Sequence, residues 1–334
     1  MSRDSRESHM IRAIELAQLV ELNRDRNPRV GAVIVAPSGE IVGEGFHQGS
    51  GTAHAEIVAL GQAGEKAKGA TLFCTLEPCN AQGKTGPCVQ AIIAAGIANV
   101  VIAQHDPNAK MAGGEITLQA AGIRVESGIL ESSARDLNLS WTFAQENNRP
   151  WVVWKTATTL DGFVAATDGS SKWITGEQAR AQVQEIRKSV GAIVTGTGTV
   201  LADNPLLTVR ELAESEQPLR VVVGDRELGK DLQIFQGSKP AIRIPGDIKD
   251  VISSLWQDHG IHRVLVEAGP HLSQSVWQAD LVDEVYWFQA PKILGTGRLA
   301  IGDIGISELA NAREFSQYQV DRVGLDLLIH FTTR

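Results

Sequence analysis

The stretch Glu77-Pro78-Cys79-Asn80-Ala81-Gln82-Gly83-Lys84-Thr85-Gly86-Pro87-Cys88, taken with His54-Ala55-Glu56 upstream, decides how the first half of the chain is read. One histidine and two cysteines supply three ligands for Zn²⁺. Three protein ligands leave a fourth position for water, the arrangement of a catalytic rather than a structural zinc. Glu56 is placed to move a proton instead of binding metal. Water on such a zinc has a pKa near neutrality, so hydroxide is available at pH 7 to attack an amidine-like ring carbon, while Glu56 carries the proton to the ring nitrogen and the leaving amine. Cys79 follows Pro78 and is expected to open a helix or turn, where the positive helix end favours thiolate. Cys74 falls in an alternating strand and reads as a small buried hydrophobe, because a fourth thiolate would close the site to water. Taken singly, these residues read as a surface histidine and buried thiols. Together, with Glu56 in place and a strand before each motif, they point to metal.

Working outward, apolar periodicity predicts a helix over 8–22 on the stripe Ile11, Ile14, Ala17 and Val20. Strands are expected at 31–35 and 41–46 around the turn Pro37-Ser38-Gly39, then a helix at 54–63, a strand at 70–75 and a helix at 87–95. A strand at 100–103, a turn at Asp106-Pro107-Asn108 and helices at 115–121 and 130–145 complete this half. The polar run Glu146-Asn147-Asn148-Arg149-Pro150 contains a helix breaker and sets a domain boundary, giving domains 1–147 and 148–334. The second half opens with a strand at 151–154. Further strands fall at 192–195, 220–223, 263–266 and 285–288, with helices at 177–187, 248–257 and 272–279. This alternation predicts a mostly parallel sheet with helices on its faces.

A length of 334 residues suits two domains, and 43% hydrophobic with 21% charged residues is ordinary for a globular protein. The net charge of −8 argues against nonspecific nucleic-acid binding but leaves room for a small anion held by local cations. Residues 1–9 lack the apolar core of a secretion signal, and the apolar stretch 91–103, broken by Asn99, is too short to span a bilayer. No membrane association is expected. Cys74, Cys79 and Cys88 cannot all pair, and thiolate ligands suit a reducing cytoplasm.

The pattern H-x-E…P-C-x-x-C marks zinc nucleobase deaminases. Here Cys79 and Cys88 are separated by eight residues instead of two. With its Gly-Lys-Thr before the second cysteine, this loop resembles that of the bifunctional riboflavin-biosynthesis deaminase–reductase family. So do Asn27-Pro28-x-Val30-Gly31-Ala32-Val33, Gly43-Glu44-Gly45-x-His47 and Gln104-x-Asp106-Pro107-Asn108. The second half resembles the family's reductase in Leu160-Asp161-Gly162, Ser171-Lys172-Trp173-Ile174-Thr175, the run from Gly196 to Pro205, Leu207-Thr208-Val209-Arg210 and Ala290-Pro291-Lys292. The resemblance covers nearly the whole chain in family order. It implies an α/β protein: a cytidine-deaminase-like α/β/α sandwich followed by a dihydrofolate-reductase-like α/β domain. It also implies two consecutive reactions on small pyrimidine ribosyl phosphates. The amino group of 2,5-diamino-6-ribosylamino-4(3H)-pyrimidinone 5′-phosphate is hydrolysed, and the ribosyl group is then reduced to ribityl with NADPH. A homo-oligomer, dimer or tetramer, is the implied assembly.

By the same resemblance, His54, Cys79 and Cys88 match the zinc ligands and Glu56 the proton shuttle, and Asn27, His47 and Lys84 match deaminase-substrate positions. In the reductase half Ala157, Trp173, Thr199, Asp203 and the run Gly269, Pro270, His271 and Leu272 match cofactor positions. Ser171, Arg187, Leu207, Arg210 and Glu267 match substrate positions. The chemistry agrees with this division. Arg187 and Arg210 offer planar forks for a phosphate. The run Gly196-Thr197-Gly198-Thr199 lets backbone approach a ligand, and Glu267-Ala268-Gly269-Pro270 lies between a strand and a helix, where N–H groups can face a pyrophosphate. No strict G-x-G-x-x-G occurs, which disfavours a Rossmann site.

The chain also departs from the family. A histidine usual two residues after the first loop cysteine is Ala81, the usual Pro-Pro before the second is Gly86-Pro87, the usual Pro-Asn-Pro is Arg26-Asn27-Pro28, and the usual Glu-Gly-Gly is Glu267-Ala268-Gly269. Ala81 leaves three alternatives open: a reductase with an impaired or redirected deaminase, a zinc deaminase for another base, and a noncatalytic deaminase-fold oligomer scaffold.

Overall fold

Strand side chains alternate between two faces, and in the first half of the chain both faces are apolar. The computed structural model describes residues 3–20, 27–81, 86–237 and 239–333, in two compact units, Met1–Glu146 and Asn147–Arg334. The first contains α1 (Arg3–Gln18), β1 (Gly31–Val35), β2 (Ile41–Phe46), α2 (Ala55–Ala63), β3 (Thr71–Leu76), α3 (Cys88–Ala94), β4 (Asn99–Gln104), α4 (Gly114–Ala120), β5 (Arg124–Ser127), α5 (Glu131–Leu137) and α6 (Leu139–Asn147). The sheet runs β2-β1-β3-β4-β5, with β1 antiparallel to both neighbours and β3, β4 and β5 parallel. Ala32, Ile34, Leu72, Cys74 and Ile102 pack on one face with Ala55 and Ala59 of α2 and Ile92 of α3. Val33, Phe73 and Val101 pack on the other with Met10, Ala13 and Ile14 of α1. The result is an α/β/α sandwich.

Two glycines fix where α2 sits. A Cβ on Gly43 would lie 2.2 Å from the Ala59 carbonyl oxygen, and one on Gly45 would lie 2.3 Å from that of Ala55. With hydrogen at both positions, the helix lies directly on β2.

Three elements differ from the sequence expectation. The first helix spans Arg3–Gln18 rather than 8–22. Its first turns are held by the Arg3–Glu7 ion pair and by the Ser8 hydroxyl donating to the Asp4 carbonyl, polar contacts that produce no apolar stripe. The segment 130–145 is two helices broken at Asn138, whose side chain accepts from the Arg29 N–H and donates to the Arg29 carbonyl, each at 2.8 Å. β5 is an edge strand with no buried residue, so it carried little hydrophobic signal.

The second unit contains β6 (Trp151–Thr158), β7 (Phe163–Ala165), α7 (Glu177–Lys188), β8 (Ala192–Gly196), α8 (Thr197–Asp203), β9 (Leu219–Val223), β10 (Ile242–Ile244), α9 (Ile248–Gln257), β11 (Arg263–Glu267), α10 (Pro270–Gln278), β12 (Glu284–Gln289), β13 (Arg298–Leu299), β14 (Tyr318–Val323) and β15 (Asp326–Thr332). Its main sheet runs β10-β9-β8-β11-β6-β12-β15-β14, parallel from β10 to β12 and antiparallel beyond. Val152, Trp154, Val194 and Val264 bury one face under α9 and α10, and the Trp154 indole donates to Ser273 Oγ at 3.0 Å. The sequence reading missed the terminal β14–β15 hairpin, whose turn is Gly324 in the left-handed region (φ +68°). The Gly196–Thr199 run caps and opens α8, and Gly198 and Thr199 border a cavity there.

At the amino ends of the central strands lies a buried polar cluster. The Glu284 carboxylate accepts from the Trp151 indole at 2.7 Å, from Arg263 at 2.9 Å and from His330 at 2.9 Å. Burial alone would push this carboxyl up, but the donors outweigh it and hold it at about 2. Among the described residues no helix is long and apolar enough to cross a membrane.

Candidate active sites

In the first unit, three element ends converge on a cavity of about 220 Å³. His54 is the residue before α2, Glu56 lies in that helix's first turn, Cys79 follows β3, and Cys88 opens α3. The His54 Nδ1, Cys79 Sγ and Cys88 Sγ atoms all lie within 4.8 Å of one another. His54 Nδ1 is 3.2 Å from Cys88 Sγ and 3.5 Å from Cys79 Sγ. Around a tetrahedral zinc, nitrogen and sulfur ligands stand about 3.5 Å apart, so the soft donor set and its spacing both fit that ion.

Where a helix or turn was expected to open at Cys79, Cys88 opens the helix and Cys79 lies in the loop before it. Other contacts favour the Cys79 thiolate. A hydrogen bond from the Cys88 thiol, and further ones from His54 and the Cys88 N–H, draw Cys79 down against burial, while Cys88 keeps the shared proton and is raised. The loop is anchored by Glu77. Its buried carboxylate accepts backbone N–H bonds from Asp106 at 3.1 Å, Gly113 at 3.1 Å and Glu115 at 2.9 Å.

Glu56 is buried, and desolvation raises its carboxyl above the usual range. His47 Nδ1 lies 3.1 Å from the Ala53 carbonyl oxygen, which can only accept, so Nδ1 carries the proton. His47 Nε2 then accepts from the Asn27 amide at 3.0 Å. Asn27, His47, His54, Glu56 and Cys79 all border the cavity. Lys84 lies outside the described residues. Asp106 also lines the cavity, its carboxyl pushed up to about 6 chiefly by burial. Trp141 and Gln145 of α6 border it as well, although the sequence reading gave them no role.

The second cavity, about 620 Å³, opens at the carboxyl ends of β6, β8 and β11, the usual ligand position in open α/β sheets. Of the expected cofactor positions, Ala157, Trp173, Thr199, Asp203 and Gly269 line it. Pro270, His271 and Leu272 are not among its lining residues, and Leu272 packs against the core. All five expected substrate positions, Ser171, Arg187, Leu207, Arg210 and Glu267, line the cavity.

Their partners revise two readings. Arg187 is not a free fork: Nε lies 2.5 Å from Glu267 Oε1, Nη2 lies 3.0 Å from Oε2, and Nη1 donates to the Thr208 carbonyl at 3.1 Å. The Gly269 N–H donates to Thr199 Oγ1 at 3.1 Å instead of facing an anion. Arg210 is exposed and pairs with no carboxylate among the described residues. Sequence reasoning missed Lys155, whose ammonium is 3.7 Å from Glu267 and whose pKa burial lowers. On Glu267, burial acts upward but Arg187 and Lys155 hold the carboxyl below its usual range. Trp173 is 60% exposed at the cavity edge, with the Arg180 guanidinium 4.5 Å from its ring centroid. A flat, wet aromatic face held by a cation suits a planar ligand ring.

Residues 3–104 match the family described as the cytidine and deoxycytidylate deaminase zinc-binding region, and residues 150–328 match the RibD C-terminal domain. The chain is 41% identical to the riboflavin biosynthesis protein RibD of Mycobacterium tuberculosis over 96% of each chain. It is 39% identical to that of Escherichia coli K12, over 97% of this chain and 98% of the other. Among solved structures, Acinetobacter baumannii RibD superposes with a TM-score of 0.91 at 35% identity over 100% of both chains. A Thermotoga maritima diaminohydroxyphosphoribosylaminopyrimidine deaminase/5-amino-6-(5-phosphoribosylamino)uracil reductase gives 0.84 at 34% identity, over 98% of each.

Proposed function

The chain belongs to the RibD family of riboflavin biosynthesis, and from that premise we propose which cavity performs which of the family's two reactions and with which residues. It is a bifunctional enzyme, a zinc-dependent deaminase and an NADPH-dependent reductase. Residues 1–147 form the deaminase and 148–334 the reductase. The substrate of the first is 2,5-diamino-6-ribosylamino-4(3H)-pyrimidinone 5′-phosphate, and the second reduces the ribosyl group of its product to ribityl. The enzyme works in a reducing cytoplasm, which keeps the ligand thiols available, as a homo-oligomer.

In the deaminase, His54, Cys79 and Cys88 hold the metal, and zinc bound there supplies a water acidic enough to serve as nucleophile near pH 7. Glu56, raised by burial, accepts a proton at its carboxylate and delivers it to the ring nitrogen and the departing ammonia. The His47–Asn27 pair is locked in one tautomer and forms a fixed wall for the substrate. The observation that carries this reading is the coincidence of the three-ligand cluster with a buried, uncoordinated glutamate in one cavity.

In the reductase, NADPH supplies hydride when bound. Trp173 and Thr199 border its place and Arg210, the uncommitted guanidinium, takes the substrate phosphate. Arg187 positions Glu267 rather than binding anion, and Glu267 with Lys155 keeps a proton-bearing pair at the cavity floor.

Glu56→Gln tests the deaminase assignment. Ammonia release should fall at least 10³-fold, roughly the upper range of general acid–base catalysis. Zinc content and NADPH oxidation on the deaminated intermediate should stay unchanged. An unaltered rate of ammonia release would remove Glu56 from the mechanism.

A further inference from the structure

Resting on the deaminase reading of the first cavity, we propose that Gln145, backed by Trp141, is the side chain with which that cavity recognises the heterocycle of its substrate.

Most polar groups bordering the cavity already carry hydrogen bonds within the protein. Both nitrogens of His47 are engaged, by Asn27 and by the Ala53 carbonyl. The Glu77 carboxylate is filled by three backbone N–H groups. Asp106 Oδ1 accepts the Asn108 N–H at 2.8 Å, and Asn108 Oδ1 accepts the Lys110 N–H at 3.1 Å. His54 and Cys79 belong to the metal cluster, and Glu56 moves the proton. Gln145 borders the same cavity, is half-buried, and its amide has no hydrogen-bond partner among the described residues. A primary amide offers two donors and an acceptor side by side. The amide-like edge of an aminopyrimidinone presents the complementary N–H and carbonyl pair. One helical turn earlier, Trp141 lines the cavity at 5% exposure, an apolar wall for a planar ring.

The wall is rigid. Asn138, at the start of α6, is stapled to the backbone of Arg29 by two bonds of 2.8 Å, and Arg29 follows Asn27-Pro28 on another side of the cavity. A buried bond of 3.0 Å from Gln104 Nε2 to Thr142 Oγ1 ties α6 to the end of β4. The helix that carries Gln145 is therefore fixed relative to the Asn27-Pro28 side of the cavity before any ligand arrives, which lowers the ordering cost of recognition by one side chain.

The test is steady-state ammonia release by the zinc-loaded full-length enzyme. For Gln145→Met, which keeps length and removes the hydrogen bonds, KM should rise about tenfold, the value of one lost hydrogen bond of about 1.4 kcal/mol. kcat should stay within about twofold, and zinc content and reductase turnover on the deaminated intermediate should be unchanged. If Gln145→Met loses zinc, Gln145→Glu reads the same KM with the polar volume kept, and its lost donors should also raise KM. A KM within twofold of wild type in the variant that retains zinc overturns the proposal and leaves the deaminase reading standing. A zinc-loaded wild type that releases no ammonia overturns both.

Discussion

Glu284→Gln should destabilise the reductase unit by an amount that depends on pH in a calculable way. The carboxylate is 7% exposed and bonded to Trp151, Arg263 and His330, so solvent screens it little. Its pKa falls from an ordinary 4.5 to about 2 in the fold. Because the folded value is the lower one, the unfolded chain binds the proton first as pH drops. The contribution is complete above pH 4.5 and is lost as pH falls toward 2. The shift amounts to about 3.4 kcal/mol at pH 7 and about 1.4 kcal/mol at pH 3. Glutamine cannot ionise, so the wild-type minus variant difference should follow that curve. Urea unfolding followed by tryptophan fluorescence suits the question, since every tryptophan except Trp141 lies in the second unit. A difference that stays constant or widens between pH 7 and pH 3 would refute the assignment of the low pKa to this cluster.

Other outcomes follow from the same contacts. Arg210→Ala should raise the reductase KM for the deaminated intermediate about tenfold or more while leaving kcat within a few-fold, because an uncommitted phosphate anchor contributes binding rather than chemistry. An unchanged KM in steady-state NADPH oxidation would exclude Arg210 from the phosphate site. Gly45→Ala drives a methyl group into the Ala55 carbonyl, where only 2.3 Å is available. It should cost about 1–3 kcal/mol of stability and, by shifting the start of α2, lower zinc occupancy measured by metal analysis. Full zinc loading at wild-type stability would show that β2 does not set the position of His54.

The metal cluster was legible in the sequence because its chemistry is local. His54 and Glu56 share one turn, the cysteines share one loop, and few structural roles call for that combination. Most strands were legible for the same kind of reason, since the β3 and β4 cores are continuous apolar runs. What escaped depends on partners distant in the chain. Nothing near Arg187 says that its guanidinium is occupied by a glutamate 80 residues away. Nothing near Asn138 says that the Arg29 backbone will pull it out of a helix. The β14–β15 hairpin carries few buried residues, so its apolar alternation is weak. Trp141 and Gln145 lie on a helix remote from both zinc motifs, and only folding brings them to the cavity.

One chain should deaminate and then reduce, despite alanine at position 81 of the zinc loop. The most direct test follows ammonia release from 2,5-diamino-6-ribosylamino-4(3H)-pyrimidinone 5′-phosphate and NADPH oxidation in the same cuvette. Ammonia first, with NADPH consumption following in equal amount, is the expected result. NADPH oxidation only when the deaminated intermediate is supplied would contradict it, leaving a working reductase beside a zinc site that does not act on this substrate.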